Sequence, residues 1–172
     1  KKIDCIWSSF TMTGRESQFL WAGPYLYSQQ VVMVPKNSPI YSIKDLNGKV
    51  VGVQSTTKPE DLLLSGGKNI PKIKEMIVFP TKSETVASLR EGGVDAVAGH
   101  ITALYRYTVQ EHFRFLSDAL EEVRLGVAFP KSGDKKLVDA LTNTLEDMKN
   151  EGLVDEIIQK YGLDPKPLVW GK

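Results

Sequence analysis

Strands and helices alternate along most of this chain of 172 residues, and that alternation predicts an α/β fold with a largely parallel sheet. Two observations carry the expectation. Compact β-prone runs such as Val31–Val34, Lys49–Val53 and Ile73–Phe79 are punctuated by Pro- and Gly-containing turns. Stretches of helical periodicity separate them, and two further helical stretches close the sequence. No repeat or low-complexity segment interrupts the pattern.

The elements follow in order. Ile3–Trp7 reads as a short buried strand, with Cys5 inside it as a small buried hydrophobe. Gln30–Val34 is a strand, stopped by Pro35 and the turn-rich Lys36-Asn37-Ser38-Pro39. Ser42–Gly48 forms one helical turn, and Lys49–Val53 the next strand. A helix runs from about Lys58 to Leu64, followed by a strand at Ile73–Phe79 and a helix at Ser83–Glu91. A strand at Ala96–Ala98 and a helix over Ile101–Tyr107 complete the alternating part. After a β run at Leu125–Phe129 the style changes. Asp134 opens a helix with Leu137, Leu141, Leu145 and Met148 as its apolar stripe. Gly152 breaks it, and a second helix sets Leu153, Ile157 and Tyr161 on one side.

Composition narrows the function classes. The chain is 41% hydrophobic and 25% charged, with a net charge of +1, so it offers no basic field for nucleic acid. No uninterrupted apolar run is long enough to span a bilayer. A single cysteine leaves no intrachain disulfide and no thiolate metal cluster. His100 and His112 lie far from any patterned acids, so neither a metal nor a cofactor is expected. The chain opens on Lys1-Lys2 directly before a strand, which fits a processed or truncated product.

Two hydroxyl-rich segments carry candidate chemistry. In Ser8-Ser9-Phe10-Thr11-Met12-Thr13-Gly14-Arg15, hydroxyl donors precede one arginine. A guanidinium presents a planar fork that matches both oxygens of a carboxylate, and hydroxyls add donors from the side. The competing reading is a polar turn with a solvated Arg15. In Val53-Gln54-Ser55-Thr56-Thr57-Lys58-Pro59-Glu60-Asp61, a strand ends, three hydroxyls follow, and Pro59 marks a first helical turn. Amides at such a helix start favour an anion; the alternative is an ordinary N-cap at Thr56 or Thr57. Neither a P-loop, a nucleophile elbow nor a His-Glu-x-x-His motif is present.

The order of these features is specific. The Ser8–Arg15 segment is followed by Trp21-Ala22-Gly23-Pro24-Tyr25 and Val31–Val34. Asp45-Leu46-Asn47-Gly48-Lys49-Val50-Val51-Gly52-Val53 and Gly93-Val94-Asp95-Ala96-Val97 come next, and Leu145–Gly152 through Lys160-Tyr161-Gly162 closes the set. Over essentially its whole length the chain resembles the polar amino-acid substrate-binding proteins of ABC importers, the type II periplasmic-binding-protein family. The resemblance implies a two-lobe α/β fold: lobe I from 1–34 and 125–172, and lobe II, inserted, from 35–124. It implies an amino-acid ligand, with Arg15 taking the α-carboxylate and Ser9 and Thr11 holding the head group. Thr57, beside Ser55, would reach the carboxylate from lobe II. Permease subunits become the expected partners, and the location is extracytoplasmic: periplasm, or cell surface through a lipid anchor of the full-length protein.

Two departures qualify the resemblance. The family's ammonium-binding aspartate is replaced here by His100, which either lines the pocket or caps the helix beginning at Ile101. An imidazole titrating in its usual range would gain charge near pH 5–6 and repel an ammonium-bearing ligand. The family's opening strand–helix–strand unit also precedes the first residue of this sequence. Lobe I is therefore expected to be incomplete, the Ser8–Arg15 loop displaced, and self-association or segment exchange favoured at the open sheet edge. Alternatives on the same fold are a receptor's sensor domain, and a dehydratase or lytic enzyme, for which His100 and Glu16 are the nameable acid–base groups.

Overall fold

The computed structural model describes residues 3–66, 69–164 and 168–169. The chain divides into two compact units: Gln29–Glu122, and the segments flanking it. The boundaries fall inside two long strands, β1 (Leu20–Pro35) and β6 (Glu121–Phe129), which pair with each other.

The inserted unit builds from β1's second half through a 3-10 turn (Ile43–Leu46), β2 (Val50–Gln54), α1 (Lys58–Ser65) and β3 (Glu75–Phe79). It continues with α2 (Lys82–Arg90), β4 (Ala96–His100), α3 (Ile101–Gln110) and β5 (Phe113–Phe115). Its strands run in the order β3-β2-β4-β1-β5. Parallel pairing is confined to β3-β2-β4; β1 is antiparallel to both β4 and β5, which makes the sheet less parallel than expected. Alternate strand residues feed two cores. Val32, Val34, Val51, Val53, Ala96 and Ala98 pack with Leu63 of α1, while Val31, Met33 and Val97 pack with Val86 and Leu89 of α2 and Leu104 and Tyr107 of α3. Helix α1 therefore covers one face of the sheet, and α2 and α3 the other.

Local chemistry fixes the helix starts. Thr81 and Glu84 form a reciprocal capping box on α2, with Thr81 N–H donating to the Glu84 carboxylate at 3.0 Å and Glu84 N–H to Thr81 Oγ1 at 3.3 Å. The Asp45 carboxylate accepts from the amides of Ser42 and Tyr41 and from the Ser42 hydroxyl, and these bonds hold its pKa below the usual carboxylate value.

The flanking unit departs further from expectation. Ile3–Trp7 is not a strand: only Ile6 makes a bridge, to Ala128, and Ile3 and Trp7 are exposed. Too few residues pair to form a ladder there. Cys5 is half-buried against the Ala22, Val127, Phe129 and Val138 cluster rather than enclosed in a strand. Strand β1 begins ten residues before the predicted Gln30 and runs through Gly23-Pro24. Gly23 has φ +103°, and a Cβ there would meet the Tyr25 nitrogen at 2.7 Å, so glycine is required. Its N–H donates instead to Thr142 Oγ1 of α4 at 3.3 Å.

Asp134 caps α4 (Lys135–Asn150) through Lys136 N–H at 2.9 Å, where the sequence placed its start. The buried stripe is Val138, Leu141 and Leu145; Leu137 is exposed, one residue out of phase. In α5 (Leu153–Lys160) the same slip recurs. Val154 and Ile158 pack inward with Leu168 and Val169, and Leu153, Ile157 and Tyr161 form an exposed apolar side.

Candidate functional site

In the flanking unit, the Ser8–Arg15 loop is tied to β6 by bonds distant in sequence. Met12 N–H donates to Arg124 O at 2.8 Å, and Arg124 N–H donates to Thr13 Oγ1 at 3.0 Å. Thr11 bridges Leu125 and is buried, whereas Ser9 is exposed. The Tyr25 hydroxyl donates to Ser8 O at 2.5 Å. The loop expected to be displaced is anchored at several points.

Arg15 lies at the end of this anchored loop. Its guanidinium carbon stands 5.0 Å from the Phe10 ring centroid, which itself stacks on Trp21 at 5.7 Å, with Phe19 closing edge-on. Trp21 Nε1–H donates to Arg15 O at 3.1 Å. The Phe10 ring thus packs against the guanidinium face, and the fork has no carboxylate partner among the described residues. The sequence contained Phe10, Phe19 and Trp21, but nothing in their spacing announced that they converge.

Glu16 is exposed directly after the same loop. It pairs with Arg124 at 2.7 Å, and its own backbone amide, with that guanidinium, lowers its pKa. An apolar recess of about 570 Å³, lined by Ile3, Cys5, Ile6, Phe19, Ala128 and Pro130, contains none of Ser9, Thr11 or Arg15.

In the inserted unit, Ser55, Thr57 and His100 converge for a topological reason. Strand β2 connects through α1 to β3 on one side, and the chain then returns to β4 on β2's other side. That reversal leaves a crevice at the carboxyl ends of β2 and β4, the usual ligand position in open α/β sheets. Ser55–Thr57 follow β2, and His100 ends β4.

Neither threonine side chain caps α1. Thr57 occupies the N-cap position, but its hydroxyl donates to Gln54 O at 2.6 Å. Thr56 takes φ +60°, an uncommon backbone for threonine, and its N–H donates to the Glu60 carboxylate at 2.6 Å. Glu60 thereby occupies one of the amides expected to be open to an anion.

His100 holds the N-cap position of α3 without a capping bond. Its Nδ1 lies 2.8 Å from Thr102 Oγ1, and its Nε2 is buried with no partner. Burial lowers its pKa to about 4, so the expected gain of charge at pH 5–6 does not occur. Two buried oxygens of this unit also lack a hydrogen bond, Gln30 Oε1 and Glu121 Oε2, the latter 3.6 Å from Lys58 Nζ. Sequence reasoning passed over both. The available signal was a glutamine opening an otherwise apolar strand, Gln30-Val31-Val32-Met33-Val34. Among the described residues no cluster of three metal-ligating side chains occurs, and no helix is long and apolar enough to cross a membrane.

The chain is similar to a probable histidine-binding protein of Neisseria gonorrhoeae, with 30% identity over 92% of this chain and 60% of the relative. It is also similar to the ABC transporter glutamine-binding protein GlnH of Bacillus subtilis, at 24% identity over 92% of this chain and 58% of that protein. The chain thus spans about 60% of the length of these curated relatives. Among solved structures, an ancestral arginine-binding protein bound to arginine superposes with a TM-score of 0.77 at 30% identity, over 92% of this chain and 71% of that one. The substrate-binding protein of an amino acid ABC transporter gives 0.76 at 26% identity, over 92% and 70%. The fold is therefore that of type II periplasmic binding proteins, and these relatives are binding proteins rather than enzymes. Residues 1–164 match the bacterial extracellular solute-binding proteins, family 3, and the chain belongs to that family.

Proposed function

We propose that this chain is the ligand-capturing part of an extracytoplasmic binding protein that takes up an amino acid and delivers it to an ABC importer. Arg15 anchors the α-carboxylate, Ser9 and Thr11 orient the head group, and Ser55, Thr57 and His100 supply contacts from the inserted unit. One observation carries the reading: a half-buried guanidinium held on Phe10 with no carboxylate of its own among the described residues. Such a fork is stabilised by an incoming carboxylate. The importer partnership rests on the family and on the names of its relatives.

Calorimetric titration with the common amino acids tests the reading. A typical micromolar ligand binds with about 8 kcal/mol. Losing a desolvated bidentate contact costs roughly 2–5 kcal/mol, so Arg15→Ala is expected to move affinity toward millimolar. A folded Arg15→Ala protein that keeps wild-type affinity would overturn Arg15 as the anchor. Permease and ATPase genes beside this one would support delivery; a kinase or cyclase domain in the same gene would favour sensing instead.

A further inference from the structure

Helix α5 has an apolar side that the flanking unit uses and another that it does not. Val154 and Ile158 pack inward with Leu26, Leu168 and Val169. Leu153, Ile157 and Tyr161, spaced four residues apart, line up on the outer side and are 40%, 44% and 75% exposed. Three large apolar side chains held together in water are unfavourable, and covering them drives association.

The charges beside this stripe favour one kind of cover. Glu156 and Lys160 are both exposed along the same edge of it. Among the described residues neither takes part in an ion pair. Consider two copies of α5 laid antiparallel about a two-fold axis at Ile157. With a rise of about 1.5 Å per residue, Glu156 of one copy comes within about 3 Å, measured along the helix, of Lys160 of the other. The same operation sets Leu153 against Tyr161 of the second copy, and Ile157 against its own counterpart. The surface is therefore self-complementary, apolar along its centre and oppositely charged at its rim, as an isologous contact requires. An anionic membrane is the poorer cover. Helix α5 and the turn before it hold Glu151, Asp155 and Glu156 against Lys160 alone, which repels anionic headgroups.

We propose that the outer side of α5 is a self-association surface, on which a second copy of this chain seats its own α5 antiparallel. Association of this kind is independent of the amino-acid reading and uses a helix rather than the open sheet edge expected from the sequence. Three side chains and their rim cover less than the roughly 800 Å² per partner of a stable interface, so the dimer forms and dissolves with concentration.

Sedimentation velocity of the full chain, from about micromolar to about millimolar, tests the surface. The wild type is expected to pass from monomer to dimer across that range. Ile157→Arg sets like charges on the two-fold axis at an exposed position, and is expected to weaken the dimer about tenfold or more with helix content unchanged by circular dichroism. Glu156→Lys or Lys160→Glu alone places like charges across the rim and should also weaken it. The double variant Glu156→Lys with Lys160→Glu restores opposite charges and should recover the wild-type constant. A wild type that stays monomeric throughout, or a dimer that Ile157→Arg leaves intact, overturns the surface. Failure of the double variant to recover the loss overturns the antiparallel seating and the proposal with it. A monomer that instead sediments with phosphatidylglycerol vesicles replaces the second copy with a membrane and overturns the proposal equally.

Discussion

The two polar segments that attract attention in the sequence are held in opposite ways. Ser55–Thr57 and His100 are placed by regular elements: Ser55–Thr57 follow β2, His100 ends β4, and strand order alone brings the two ends together. Ser8–Arg15 is held by no regular element of its own. Its position comes from bonds to residues more than a hundred positions away, such as Arg124 N–H to Thr13 Oγ1 and Met12 N–H to Arg124 O. A site built on strand ends inherits the stability of its sheet. A site built on a pinned loop is as stable as the pins.

The largest effect that would sharpen this contrast lies under β4. Leu104 of α3 is 1% exposed, and a Cβ on Gly99 would meet it at 2.8 Å, so the leucine fills the space directly behind the strand that ends in His100. Leu104→Ala is expected to cost about 2–5 kcal/mol of the inserted unit's stability. Denaturant unfolding followed by hydrogen exchange would locate the loss. Protection lost from the β2 and β4 amides, with the Ile6–Ala128 bridge untouched, fits the contrast. Equal loss in both units would show that they unfold as one.

The acid response of His100 is next in size. Its folded pKa of about 4 lies below the usual value of 6.5 because burial disfavours the charged form. Between those values the unfolded chain binds the extra proton. Stability from this residue is therefore complete above about pH 7 and is lost as the pH falls from 6.5 through about 4, a total on the order of 3 kcal/mol. His100→Asn should remove that part of the acid limb. Superimposable stability profiles for wild type and variant between pH 7 and 4 would mean that the imidazole is not desolvated as described.

How much was legible follows the same division. The inserted unit's elements are short, locally patterned and locally capped, so β2, α1, α2 and β4 could be placed from propensity and punctuation. What escaped there had little local signal. Strand β5 is three residues, Phe113-Arg114-Phe115, defined by pairing with Met33–Pro35 rather than by its own run. The buried, unbonded oxygens of Gln30 and Glu121 are defined only by their neighbours across the sheet. In the flanking unit the local signal misled. Ile3–Trp7 has strand composition but finds one bridging partner, and β1 continues through Gly23-Pro24 because Thr142 receives the glycine N–H. On α5 the periodicity was read correctly but its phase was not, whereas on α4 Leu141 and Leu145 were placed and only Leu137 was not. A stripe beginning at Leu137 or Leu153 and one beginning a residue later fit the sequence equally well, and tertiary packing selected Val138 and Val154.

The smallest predicted effect tests the pins themselves. Thr13→Val preserves shape and removes the hydroxyl oxygen that accepts from Arg124 N–H, part-buried, at 3.0 Å. Leaving that amide unpaired should cost roughly 1–2 kcal/mol. The site of the loss is more telling than its size. If the loop depends on distant bonds, exchange at the Met12 amide should accelerate, because its acceptor is the carbonyl of the same Arg124, and Arg15 should lose order with it. Thr81→Val removes a hydroxyl from a local cap of similar worth. It should loosen only the first turn of α2 and leave amino-acid affinity where it was, whereas Thr13→Val weakens it. If the two variants alter affinity alike, the distinction between a pinned loop and a strand-built crevice has no functional consequence, and the Arg15 loop is ordered by its own aromatic contacts with Phe10 and Trp21.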